Sequence, residues 1–341
     1  MLTTVTVPQG AALLAAGQLV AFPTETVYGL GADASNDAAV AQIFAAKGRP
    51  ADHPLIVHVA SLAAAEGFAA SIPQFARLLC QAFWPGPLTI IVPRQPGKAG
   101  ASAGGQDSIG LRCPSHPMAL ALLTECAARG VAGVAAPSAN QFGKVSPTTA
   151  QHVYDELGDA VALIDGGPCS VGIESTIIDC TRGAPVLLRP GILSTADIEA
   201  AMGCKLLSNT QLLEQQMRGL PAVLIPNADA KQAPRASGTL AAHYAPRAKL
   251  RVMQAKALQT ALDLLGADAA HIAVYSRAIV ASRSQHIVRR RMPDDAASTA
   301  QQLFAVLRAF DDQDVKLIWV EAPPPDPAWD GVRDRLQRAC A

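Results

Sequence analysis

Residues 22–58, FPTETVYGLGADASNDAAVAQIFAAKGRPADHPLIVH, constrain the fold more than any other part of the chain. An apolar run at residues 19–22 breaks at Pro23 into Thr24, Glu25 and Thr26, which reads as a strand ending at a working surface. Gly29 and Gly31 predict a tight loop where backbone can approach a ligand. Ser35 or Asn36 can then cap a helix that carries Val40, Ile43 and Phe44 on one face. That helix ends in Lys47, Gly48 and Arg49, and Pro50 and Pro54 bracket a loop before a strand at Leu55, Ile56 and Val57 delivers His58. Hydroxyls, a Lys-x-Arg pair and an imidazole are thus expected at the ends of neighbouring elements. Cations at a helix C-terminus can simply answer the macrodipole. Their coincidence with a polar strand end in one supersecondary unit favours a ligand site, since ligands collect at strand ends in open α/β sheets.

The same ending recurs downstream. A strand at residues 2–7 and a helix at 8–16 precede the organising stretch. Strands are predicted at 88–92, at 108–112 ending on Arg112, at 131–136 stopping at Pro137-Ser138-Ala139-Asn140, at 161–164, at 175–179, and at 185–188 before Arg189. The glycine-rich residues 97–105 read as a mobile loop unsuited to a core. Gly143-Lys144 is no phosphate-binding P-loop, because Ser138 stands where its first glycine is required and Val145 follows the lysine. Beyond residue 247, strand-like runs at 250–253, 272–275, 287–291 and 317–320 alternate with helical patterns at 255–265, 294–310 and 330–339, predicting a small three-layer α/β domain. Its Arg289-Arg290-Arg291 run suits an edge strand blunted by charge. The 341 residues thus divide into 1–200, a connecting segment 201–246 and a second domain 247–341.

Twenty-eight basic residues balance 28 acidic ones, which argues against a general electrostatic grip on nucleic acid or an anionic membrane. Seven scattered cysteines without a Cys-x-x-Cys pair are expected in a reduced, cytoplasmic chain with no cysteine zinc site. No apolar run approaches a membrane span, and the N-terminus lacks the pattern of a signal peptide. A site rich in guanidinium groups, a lysine and hydroxyls, with few carboxylates, favours an anionic ligand such as a nucleotide phosphate. No Ser-His-Asp or Cys-His arrangement is evident, so positioning and charge stabilisation are expected to carry the chemistry.

The motifs PTETVYGLG, KGRP, PLIVH, LRCP, PSAN, GKVSPT, ESTIID and LRPG occur in an order that strongly resembles the YrdC family, the threonylcarbamoyl-adenylate synthases. The tail, with HYAP at residues 243–246, resembles the extra domain of the long two-domain form. The resemblance implies a YrdC-like twisted mixed-sheet N-terminal domain and a smaller Rossmann-like three-layer C-terminal domain. It also implies formation of threonylcarbamoyl-AMP and pyrophosphate from L-threonine, bicarbonate and ATP with Mg2+, and hand-over to a tRNA threonylcarbamoyl transferase with local RNA contact. Carried over by position, Thr26, His58, Arg112, the Ala136 backbone and Thr176 would hold threonine. Lys47 and Arg49 would be catalytic, and with His53, Ser108, Ser138, Asn140, Ser146 and Arg189 would contact the nucleotide. Tyr244 would reach back from the connecting segment as part of a lid. Two other readings of these residues are weaker. Gly29-x-Gly31-x-x-Ala34 matches a dinucleotide fingerprint, but the helix starts after the motif, not inside it. A double-stranded RNA-binding module suits a basic concave face, but zero net charge weakens it.

Overall fold

The computed structural model describes residues 4–217 and 233–341. Helix α1 (Val7–Ala15) begins at Thr6, which caps it reciprocally with Gln9. That early start leaves of the expected first strand one bridge, Thr4 to Leu163, and residues 1–3 lie outside the described chain. Strands β1 (Val20–Phe22) and β2 (Gly29–Asp33) pair antiparallel around the Thr24–Thr26 turn. The Thr24 hydroxyl holds that turn, donating to the Val27 carbonyl at 2.6 Å and accepting the Thr26 and Val27 N–H groups. Helix α2 (Asp37–Lys47) is capped by Asn36 and stops at Gly48, whose φ of +59° is left-handed.

The chain continues through β3 (Ile56–His58), α3 (Leu62–Glu66), α4 (Gln74–Phe83), β4 (Leu88–Pro93), β5 (Ser108–Arg112), α5 (Pro117–Ala128), β6 (Val134–Ala135), α6 (Ala150–Leu157), β7 (Ala162–Leu163), β8 (Thr176–Asp179), β9 (Val186–Arg189), α7 (Thr195–Met202) and α8 (Asn209–Met217). Nine strands form one mixed sheet in the order β7-β1-β2-β6-β3-β5-β4-β8-β9. One side buries Leu30, Val57, Ile90 and Leu111 with Ile43 of α2 and Leu79 of α4; the other buries Val20, Phe22 and Val134 with Leu14 of α1 and Leu122 of α5.

Three expectations change. Gly29 and Gly31 lie in β2 rather than a loop, and they are needed for packing: a Cβ at Gly31 would sit 2.8 Å from Val134, and one at Gly29 would sit 3.1 Å from Ala136. The glycine-rich residues 97–105 are built into the core, with Ser102 and Ala103 buried, the Ser102 hydroxyl donating to the Ala34 carbonyl and the Ser102 carbonyl accepting the Leu55 N–H. Finally, a boundary at residue 200 falls inside α7, which packs on α4 and places Ile198 and Met202 in the first domain's core. The helix expected at 211–219 is described as far as Met217, and most of the proline-marked stretch after it lies outside the described residues.

The second domain comprises β10 (Lys249–Met253), α9 (Ala255–Asp263), β11 (Ile272–Ser276), β12 (Val288–Arg291), α10 (Ala296–Asp311), β13 (Leu317–Glu321) and α11 (Asp330–Ala339). Its parallel sheet runs β10-β13-β11-β12, with β12 and its exposed arginines at an edge. α9 covers one face, and α10 and α11 cover the other, giving three layers. Val27, Val145, Ile173 and Tyr244 share an apolar cluster with Phe304, Val332 and Leu336, so the two domains meet through a common core. Among the described residues no helix is long and apolar enough to cross a membrane.

Candidate functional site: a cation-walled cavity closed by the connecting segment

Alternation places Ile56 and His58 on the same face of β3. His58 pairs in register with Arg112 of β5, and Ala136, just past β6, donates its N–H to the Ile56 carbonyl. Because β3 and β6 run antiparallel, these groups gather over a face of the sheet and not beyond a row of strand ends. The segments at Thr24 to Val27, Pro137 and Ser138, and Glu174 and Ser175 wall the resulting cavity. His58 is buried, and burial, then neighbouring Arg112, push its pKa down to about 3, so its ring is neutral at physiological pH. Its Nδ1 and the Thr176 Oγ1 are both buried without a protein partner. Thr26 is fully buried beside them, its hydroxyl 2.9 Å from that of Thr24. Arg112 donates to Glu25 at 2.7 Å, and the other Glu25 oxygen accepts the Ser115 N–H. Glu25 therefore orients the guanidinium, a pairing that the sequence did not announce.

Three further cations converge. Lys47, at the end of α2, reaches the carbonyls of Ser138, at 2.7 Å, and Asn140. Burial, then Arg49, push its pKa down to about 7. Gly48 turns the chain so that Arg49 folds back, donating to the Pro54 carbonyl while its guanidinium stands 5.7 Å from the Phe142 ring centre. Burial lowers its pKa to about 10, and its Nε has no partner. Arg189 donates to the carbonyl and hydroxyl of Ser175. Among the described residues none of these three cations forms an ion pair, although all are more than nine-tenths buried. Buried, unneutralised positive charge is costly unless a ligand supplies the counter-charge.

Glu174, also on the wall, is committed elsewhere. It accepts from the Ser146 hydroxyl and from Arg335 of α11 at 2.7 Å. Burial opposes its charge, but Arg335, then Arg189 and Ser146, hold its pKa below the ordinary value. Arg335 is 1% exposed and also donates to the Glu174 and Pro190 carbonyls. Its guanidinium stands 5.3 Å from the centre of the Tyr244 ring, which packs on Phe304. The connecting segment thus lies inside the site: the Ser237 carbonyl accepts from Arg189, and Gly238, at φ +70°, has no room for a Cβ between Tyr244 and Arg189. Only about 40 Å³ remains open in the cavity, room for a water or two.

Of the residues expected from sequence, Arg49, His58, Arg112, Ala136, Ser138, Arg189 and Tyr244 line the cavity, while Thr26, Lys47 and Ser146 stand behind that wall, bonded to Thr24, the Ser138 carbonyl and Glu174. His53 stands on the rim with its ring edge-on to Phe142, and Ser108 lines an adjoining crevice with Ser237. Asn140 Nδ2 braces the carbonyls of Gln141 and Lys144, leaving Oδ1 unpartnered. Sequence reasoning did not assign Glu25, Phe142, Glu174, Ser175, Ser237 or Arg335. Glu174 opens the ESTIID motif, but its partner lies 161 residues away, a pairing that no local pattern can reveal.

Fold and site together define a YrdC-like α/β protein with a second domain and a polar cavity walled by buried cations. A family model described as "Telomere recombination" matches residues 12–191, and one described as "Threonylcarbamoyl-AMP synthase, C-terminal domain" matches residues 194–341. The chain is 36% identical over 339 residues to the threonylcarbamoyl-AMP synthase of Bacillus subtilis, covering 98% of this chain and 92% of that one. It is 46% identical over 239 residues to that of Pyrococcus abyssi, covering 70% of this chain and 65% of the relative. The solved structure of P. abyssi Sua5 complexed with L-threonine superposes with a TM-score of 0.83 at 35% identity, covering 98% of this chain and 94% of that chain. The chain belongs to the threonylcarbamoyl-AMP synthase family, in its two-domain form.

Proposed function

We propose that the protein makes threonylcarbamoyl-AMP, water and pyrophosphate from L-threonine, bicarbonate and ATP, as a nucleotidyltransferase supplying the threonylcarbamoyladenosine modification of tRNA. The observation that carries this reading is the cluster of Lys47, Arg49 and Arg189, which among the described residues are buried without ion-pair partners, together with His58 Nδ1 and Thr176 Oγ1, likewise without partners there. Family membership and the threonine complex of P. abyssi Sua5 support it. Pyrophosphate release that requires both threonine and bicarbonate tests it; release that ignores either would overturn it.

In this reading Arg112, oriented by Glu25, takes the threonine carboxylate, and Thr176, His58 and Thr26 meet its hydroxyl and amine. The amine attacks bicarbonate carbon, water departs, and a carbamate oxygen then displaces pyrophosphate at the α-phosphorus. Lys47, Arg49 and Arg189 neutralise the anions that this displacement brings together and stabilise the leaving pyrophosphate. Magnesium supplied with ATP would add charge neutralisation to that of Lys47, Arg49 and Arg189. The wall carboxylates are already held, Glu25 by Arg112 and Glu174 by Arg335 and Ser146, so the cavity wall among the described residues offers no free carboxylate for a metal. ATP does not fit in the remaining space, so the segment carrying Ser237, Gly238 and Tyr244 must withdraw to admit it and then close as a lid. The downstream partner is a transferase acting on tRNA.

Arg112→Lys keeps the charge but loses the planar fork that spans Glu25 and a carboxylate. It is expected to raise the threonine KM about ten- to a hundredfold with little change for ATP. Equal weakening of both substrates would reassign Arg112 to phosphate. Lys47 gives a pH test. With a folded pKa of about 7, the free protein holds this side chain largely neutral at pH 8. A triphosphate raises that pKa again. ATP binding at pH 8 is therefore expected to take up a proton, read as buffer-dependent heats in calorimetry. Lys47→Met should abolish the uptake.

A further inference from the structure

The second domain contains a groove of its own, about 1280 Å³ in volume, which follows β10 and is closed on its other side by residues 322–325 and α11. Lys249, Arg251, Arg277 and Arg333 line it, and no carboxylate side chain does. Glu321 pairs with Arg277 and Asp330 with Arg333, so the charge left uncompensated among the described residues is that of Lys249 and Arg251.

Its position matters as much as its charge. The helix following β10, α9, packs Leu258 and Leu262 on the face that carries Ile272, Val274 and Trp319. The helix following β13, α11, packs Val332 and Leu336 on the opposite face with Leu250 and Val320. β10 and β13 are parallel neighbours whose following helices lie on opposite faces, and the groove opens between them. In parallel α/β sheets such a switch point is where ligands bind. Two of the cations are already oriented there. Arg277 donates to Glu321 at 2.6 Å and leaves its buried Nε without a partner, and Arg333 is anchored by Asp330 and the carbonyls of Pro324 and Asp326. Lys249 and Arg251 extend from the edge strand into solvent and form no ion pair among the described residues.

We propose that this groove is a second ligand site, separate from the catalytic cavity, for a phosphorylated small molecule whose phosphate is held by Arg251, Arg277 and Arg333 with Lys249 adding charge. Several planar donors lining one groove suit the oxygens of a phosphate better than the two of a carboxylate. The turn after β10, Met253-Gln254-Ala255, has no glycine, so recognition rests on side chains and not on a dinucleotide-type backbone loop.

Inorganic pyrophosphate is the probe, titrated by calorimetry into the full-length protein at physiological salt, where unspecific attraction between exposed charges is largely screened. Two equivalents are expected to bind the unaltered protein, one in each site. The Lys249→Glu/Arg251→Glu variant, altered only at exposed positions, is expected to bind one and to keep its synthase turnover. Arg333→Gln provides an independent check, weakening the second equivalent about tenfold or more. One equivalent in both the unaltered protein and the charge-reversed variant would overturn the proposal. So would groove-dependent binding of a ten-nucleotide RNA without a second pyrophosphate, which would assign the cations to a nucleic-acid backbone.

Discussion

Arg49→Ala is expected to lower threonine- and bicarbonate-dependent pyrophosphate release by about 10³-fold or more, the scale on which a transition-state arginine acts in phosphoryl-type transfer. The geometry explains why so much rests on it. Arg49 is buried with an unpartnered Nε, between Lys47 and Arg189, in a cavity where low dielectric magnifies charge stabilisation. The same crowding predicts that the fold survives. Arg49 faces the like charge of Arg189 in the empty site, so removing it relieves repulsion while forfeiting the bond to the Pro54 carbonyl and the contact with Phe142. The thermal midpoint should therefore change little while turnover collapses. Near-normal release from the folded variant would remove Arg49 from the chemistry.

Arg335→Leu is expected to damage stability and turnover together, although the residue belongs to the last helix of the chain. Removing it leaves Glu174 buried with only Ser146 and a more distant Arg189, and breaking a buried pair from one side costs about 3–5 kcal/mol. The loss also takes away the cation beneath Tyr244 and the bonds to the Glu174 and Pro190 carbonyls. Docking of the second domain and seating of the connecting segment should loosen at once, with faster protease cleavage within residues 233–246. The decisive measurement is a double-mutant cycle. If Arg335 acts by neutralising Glu174, adding Glu174→Gln should recover much of the lost stability, because the uncompensated charge is gone. Simple additivity of the two losses would show that Arg335 acts only through packing.

Much of this molecule was legible from local chemistry. The amphipathic pattern and the Asn36 and Gly48 signals that bound α2, the strand that delivers His58, and the separate three-layer second domain with its charged edge strand all follow from side-chain periodicity and capping, which act over a few residues. So does the polar break at Thr24–Thr26, where a single hydroxyl satisfies several backbone groups. The order of motifs then narrowed the family, because each motif places a distinct polar group at the end of an apolar element.

Other features depend on partners that local sequence cannot name. Gly29 and Gly31 read as a ligand-approach loop and proved to be strand positions, because Phe22 and Val134 approach too closely to admit a side chain. The glycine-rich residues 97–105 read as mobile and proved to be packed, since Ser102 meets Ala34 and Leu55 across the chain. Composition and periodicity by themselves determined which residues are apolar, where many elements start and stop, and that several apolar runs end in cations or hydroxyls; only the fold brought those groups over one face of the sheet. Only the tertiary structure decided which charges are compensated: Glu25 takes Arg112, Arg335 reaches 161 residues back to Glu174, and Lys47, Arg49 and Arg189 are left buried without ion-pair partners among the described residues. The physical reason is range. Propensity and capping are settled within a turn or two of chain, whereas the cost of a buried charge is settled by whatever the whole fold brings within a few ångströms of it.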